Sequence, residues 1–144
     1  MSQENVDVVT GLFPGPDVDV AQLFRSEEMW TALAEFVGPL IDPDFVSIGP
    51  DTPGNPVWVG LEGFRAMCLD WLEPWETYRM EIERSIDLGD RVLVLLTVAA
   101  RTPASSQEVT SRVAFLQTVR GGKLVRQEVY ANQAEALKAV GLED

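Results

Sequence analysis

The sequence predicts an α+β domain in which N-terminal helices lie on one face of a bent, mostly antiparallel sheet. Apolar residues in the first half recur at helical spacing, as in Leu61, Phe64, Cys68, Trp71 and Trp75. From Glu76 the period falls to two, with Tyr78, Met80, Ile82, Ile86 and Leu88 alternating with polar neighbours. Short turn signals, Gly89-Asp90 and Gly121-Gly122, then join runs long enough to form a meander of strands.

Each element has its own local reason. ENVDVVTGLF places Val6, Val9 and Phe13 on one side of a short helix, and Pro14-Gly15-Pro16 stops it. Ser26 is suited to cap a second helix, with Glu27 and Glu28 where the helix dipole favours negative charge. Met29, Leu33, Phe36, Val37 and Leu40 continue that helix's apolar side. IDPDFVSIG reads as a turn into a short strand, in which Asp42 and Asp44 serve local backbone hydrogen bonding, and PDTPGNP reads as a loop before Val57, Trp58 and Val59. Pro74 ends the helix that begins near Leu61. VLVLLTVAA is apolar on both faces and so predicts a strand covered on both sides. VTSRVAFLQTV is the next strand and KLVRQEVY its hairpin partner, and Asn132 caps the final helix QAEALKAVGL with Glu135 at the third helical position.

A chain of 144 residues suits one domain over 1–144, large enough to remove roughly 70% of its unfolded surface from water. Eleven basic against 23 acidic residues give a net charge of -12, which repels a phosphate backbone or an anionic leaflet, so neither nucleic acid nor membrane is an expected partner. No basic segment followed by a long apolar run opens the chain, and a cytoplasmic location is expected. The single cysteine, Cys68, sits among apolar residues and reads as packing. Histidine is absent, which removes Ser-His-Asp and Cys-His nucleophile systems, His-based zinc sites and imidazole acid–base chemistry. No metal site and no cofactor are expected from these motifs.

The hairpin decides which side chains meet a ligand. A type I′ turn at Gly121-Gly122 pairs Arg120 with Lys123. Unbroken register from that pair places Leu116 beside Gln127, Ala114 beside Val129 and Arg112 beside Ala131 on one face, with Thr118 beside Val125. The other face gathers Gln117 with Arg126, Phe115 with Glu128 and Val113 with Tyr130. A slip of one residue exchanges faces. The first face is small and apolar with two isolated polar groups, the composition of a ligand cavity. The expected ligand-binding residues are therefore Arg112, Gln127, Ala114, Leu116 and Val129, with Trp58, or in its place Trp30, at the mouth and Trp71 stacking on a planar ligand. Arg112 has the alternative of a salt bridge to a carboxylate of a covering helix, and Trp71 that of core packing. The second face is amphipathic, and a homodimer associating through Phe115, Arg126, Glu128 and Tyr130 would cover it.

The stretches ENVDVV, LIDPDF, GLEGFRAMCLDWLEPWETY, IDLGDRVLVL and GGKLVRQEVYANQAEALKAVGL resemble the SnoaL-like family of the NTF2-like superfamily, which includes polyketide cyclases, ketosteroid isomerases and limonene epoxide hydrolases. The resemblance implies a cone-like curved sheet wrapped around the helices, in the manner of a cystatin-like roll, with a pocket at the open end and frequently a dimer. Residues 14–34 look like an insertion within it. The catalytic positions carry over poorly. Ala114 and Val129 stand where the epoxide hydrolases have carboxylates, and Gly49, with Asp51 two residues on, where the isomerases have their base. Epoxide hydrolysis is therefore not expected. The resemblance implies a small apolar or carbonyl-containing molecule in the cone, with cyclisation or isomerisation of a carbonyl compound as the family's chemistry. A non-catalytic binding or scaffold module is the alternative.

Overall fold

The computed structural model describes residues 2–49 and 57–142. Its frame is one six-stranded sheet in which β1 (Ile41–Ile48), β2 (Val57–Val59), β3 (Thr77–Asp87), β4 (Arg91–Arg101), β5 (Val109–Arg120) and β6 (Lys123–Tyr130) take the spatial order β2-β1-β6-β5-β4-β3. All neighbours are antiparallel except β1 and β6. The helices are α1 (Ser2–Gly11), α2 (Val20–Arg25), α3 (Glu27–Val37), α4 (Gly60–Leu72) and α5 (Gln133–Ala139). The sheet is curved and unclosed, with α1 to α4 packed in its concave side. The loop expected over residues 50–56 lies outside the described residues.

The helix ends behave as their sequences require. The Ser26 hydroxyl accepts from Met29 N at 3.1 Å, and the Asn132 side-chain oxygen Oδ1 accepts from Ala134 N at 2.7 Å and Glu135 N at 3.3 Å. Within the stretch expected to be an insertion, α2 forms behind Asp19, whose carboxylate accepts from Ala21 N at 3.1 Å and from Tyr78 N at 3.0 Å. One carboxylate thus caps α2 and fastens it to the start of β3. Six residues are too few to display a helical period, which is why the apolar pattern alone did not reveal α2. Arg25 donates to the carbonyls of Leu72 and Trp75, satisfying the orphan end of α4. Arg65 donates to Phe24 O at 2.9 Å and to Glu27 at 2.9 Å, with its guanidinium over the Trp30 ring.

Two interruptions of register set which residues face the helices. In β3, Ile82 pairs with Leu96 but Arg84 with Leu95, so Glu83 is an extra, bulged residue. Tyr78, Met80 and Ile82 consequently join the concave core, whereas Ile86 and Leu88 lie on the other side of the sheet. The single inward stripe expected along this strand is therefore divided by the bulge. At the hairpin Arg120 does pair with Lys123, and both glycines have positive φ, 61° and 78°. Val119 then pairs with Leu124 and Thr118 with Arg126, leaving Val125 as the extra residue. Beyond it β6 is displaced by one residue against β5.

The convex side is not bare. Leu93, Leu95, Ala114 and Leu116 form a second apolar cluster with Ala136, against which Leu137, Val140 and Tyr130 pack. With α1 to α4 on one side and α5 on the other, β4 is covered on both faces, as its unbroken apolar run demands. No helix among the described residues is long and apolar enough to cross a membrane.

Candidate functional site

A cavity of about 280 Å³ opens between the concave face of the sheet and the helices. The sheet contributes Val113, Phe115 and Gln117 from β5 and Leu124, Gln127 and Val129 from β6. Alternation puts every second residue of β5 inward, and the bulge at Val125 brings Gln127 and Val129 into line with Gln117 and Phe115. The helical wall includes Phe24, Leu33, Phe64, Met67 and Cys68. Phe36, 65% exposed, and Trp71, 36% exposed, also line the space and mark its mouth. The volume lies near the lower end of the range of small-molecule sites, about 300–1,000 Å³.

Its chemistry is almost wholly apolar. Of the lining side chains among the described residues, none is Asp, Glu, Lys or Arg. Cys68 is half-buried among apolar side chains, and desolvation raises its thiol pKa far above the ordinary range, so it stays protonated. Tyr78 is also raised, first by burial, while its hydroxyl accepts from Trp71 Nε1 at 2.8 Å. Neither group is a base at neutral pH. The polar exception is a pair of amides: Gln117 Nε2 donates to Gln127 Oε1 at 2.7 Å, and each residue is only 2% exposed. Among the described residues no group of His, Cys, Asp and Glu could hold a metal ion.

The ligand residues expected from sequence are divided by this geometry. Gln127, Val129 and Trp71 line the cavity. Arg112, Ala114 and Leu116 do not: they lie on the convex side, because the extra residue at Val125 shifts β6 while β5 keeps its own alternation. Arg112 instead donates through Nε and Nη2 to Glu83, at 3.0 and 2.7 Å, which realises its salt-bridge alternative with a bulged strand carboxylate rather than a helical one. Ala114 and Leu116 pack beneath α5. Trp58, opposite Ser47 in the β1–β2 pair, is half-buried and outside the cavity lining. Phe115, expected on the outer face, lines the cavity, with its ring 5.4 Å from that of Phe13. Gln117 went unrecognised as a site residue because unbroken register set it beside Arg126; its signal was a second glutamine at the matching depth of the neighbouring strand.

Glu83 gathers the polar contacts of the opposite side. Hydrogen bonding from Arg112, and then from Thr97, lowers its carboxyl pKa to about 2. Gln133 at the start of α5 donates to the carbonyls of Leu96 and Val113 and to Glu83, joining α5 to β3, β4 and β5. Arg126 and Glu128, also convex, pair at 3.3 Å.

A family model for the SnoaL-like domain matches residues 15–127. No curated protein matches the chain. Among solved structures, a protein described as a SnoaL-like polyketide cyclase from a Jannaschia species shares 20% identity, with a TM-score of 0.66 over 99% of this chain and 95% of that one. TerC, crystallised with polyporic acid, shares 18% identity with a TM-score of 0.65 over 95% of this chain and 98% of its own. A protein with a ketosteroid isomerase-like fold from Catenulispora acidiphila, in complex with trimethylamine, shares 15% identity with a TM-score of 0.57 over 90% and 95% of the two chains.

Proposed function

The chain belongs to the SnoaL-like family, and we propose that it binds a small, uncharged, largely apolar molecule in the cavity lined by Trp71, Gln127 and Val129. The observation that carries this reading is the absence of any ionised side chain from the described lining. An anion or cation moved from water into such a space loses solvation that nothing there replaces. A neutral ring system gains apolar burial against Phe24, Phe64 and Phe115. Structures of the same fold with polyporic acid or trimethylamine support its capacity to accommodate small molecules.

Binding is favoured over cyclisation or isomerisation by the same composition. Proton abstraction beside a carbonyl needs a base within hydrogen-bond reach, and Cys68 and Tyr78 are held protonated by burial. Calorimetric titration with naphthalene and with 2-naphthoate tests the reading. Naphthalene is expected to bind and 2-naphthoate to bind at least about tenfold more weakly, a difference of about 1.4 kcal/mol. Val129→Phe, which adds a ring to the lining, is expected to abolish naphthalene binding while circular dichroism shows the fold retained. Equal affinity for the two probes, or naphthalene binding indifferent to Val129→Phe, would overturn it.

A further inference from the structure

We infer that Gln117 and Gln127 act together as a recognition element for a ligand that presents a hydrogen-bond donor beside an acceptor, the pattern of a lactam or a hydroxy-carbonyl compound. This rests on the proposal that the cavity binds a small neutral molecule, and adds which polar groups that molecule carries.

The two side chains lie directly opposite each other on β5 and β6, and both line the cavity. Their mutual bond, Gln117 Nε2 to Gln127 Oε1 at 2.7 Å, leaves Gln117 Oε1 and Gln127 Nε2 buried with no hydrogen-bond partner among the described residues. The unmet atoms are one acceptor and one donor. An amide carries a carbonyl acceptor and an amine donor, so a single bond between two amides always leaves a carbonyl on one and an amine on the other. Turning both amides over exchanges their roles and conserves that result. The dyad therefore accepts a donor–acceptor ligand in either orientation.

Buried amides cost stability unless they are met, and a row of apolar side chains would have filled this wall without that cost. The bulge at Val125 sets the two glutamines face to face, whereas unbroken register would have placed Gln127 opposite Leu116. Ser47, opposite Gln127 in the β1–β6 pair, supplies a third buried polar atom with no hydrogen-bond partner among the described residues, its hydroxyl oxygen, and extends the polar row onto a third strand. Because no charged side chain joins the dyad in the described lining, it selects by hydrogen-bond pattern rather than by charge.

The test uses 2-quinolone, whose ring N–H stands beside its carbonyl, and coumarin, which has the same shape and carbonyl with oxygen in place of N–H. Naphthalene serves as the purely apolar arm. Calorimetry on the full chain is expected to show 2-quinolone binding about tenfold more tightly than coumarin, the effect of one additional buried hydrogen bond. In the double variant Gln117→Leu, Gln127→Leu the order should reverse, since the lactam N–H would then meet only hydrocarbon, and naphthalene should bind more tightly than to the parent. Gln127→Asn, which withdraws one amide by a methylene, should abolish the preference and covers the case in which the double variant fails to fold. Coumarin binding as tightly as 2-quinolone, or a lactam preference that survives either substitution, overturns the dyad; if naphthalene still binds, the cavity reading stands. Failure of all three probes overturns both.

Discussion

The two faces of the same sheet are both largely covered, yet they put their polar groups to opposite uses. On the concave face Gln117 and Gln127 are neutral, buried and only half satisfied, and they border a cavity. On the convex face Glu83, Arg112, Thr97 and Gln133 satisfy one another and anchor α5 over Leu93, Leu95, Ala114 and Leu116. Charge therefore collects where it joins elements, and the face that could hold a ligand is left without it. The Arg112 guanidinium, attractive in sequence as a ligand anchor, instead pairs with Glu83 outside the described cavity lining.

The largest expected effect concerns the convex apolar cluster. Leu116 is 2% exposed beneath α5, so Leu116→Ala should destabilise the fold by about 2–5 kcal/mol in urea unfolding. Once folded, the variant should keep the parent's ratio of affinities for naphthalene and 2-naphthoate. A change in that ratio, with little loss of stability, would return Leu116 to the ligand wall.

A smaller effect separates the faces by pH. With the Glu83 pKa lowered to about 2 in the folded state, the unfolded chain binds its proton first as pH falls. Its stabilising contribution is complete above the ordinary carboxylate value of 4.5 and drains away between there and about 2. Glu83→Gln should reduce stability at neutral pH and flatten the acid limb of the stability profile over that window. The parent and variant curves should converge below it. Parallel curves across the whole range would show that the Glu83 cluster does not fasten the sheet.

The smallest expected effect is the sharpest test of the division. Arg112→Ala removes an exposed guanidinium that touches Glu83 and is not among the residues lining the cavity, so naphthalene and 2-quinolone should bind with the parent's affinities. A severalfold loss for either probe would place charge in the binding site and break the contrast between the faces.

Much of the fold was readable because its causes are local. Ser26 and Asn132 cap helices through their own side chains, Pro74 lies just past the end of α4, and Gly121-Gly122 adopts the positive φ angles that pair Arg120 with Lys123. These choices depend on a few neighbouring residues, and the chain determines them by itself. The tertiary structure decided where register breaks. Neither Glu83 nor Val125 carries a turn-forming side chain, and their bulges arise where long strands must bend around packed helices, at the sheet edge in β3 and between two paired neighbours in β6. Since strand side chains alternate, one extra residue moved Arg112, Ala114 and Leu116 out of the expected site and brought Phe115 and Gln117 in. The sequence alone determined the elements and the apolar character of the interior. Only packing across the sheet decided which polar side chains that interior would contain.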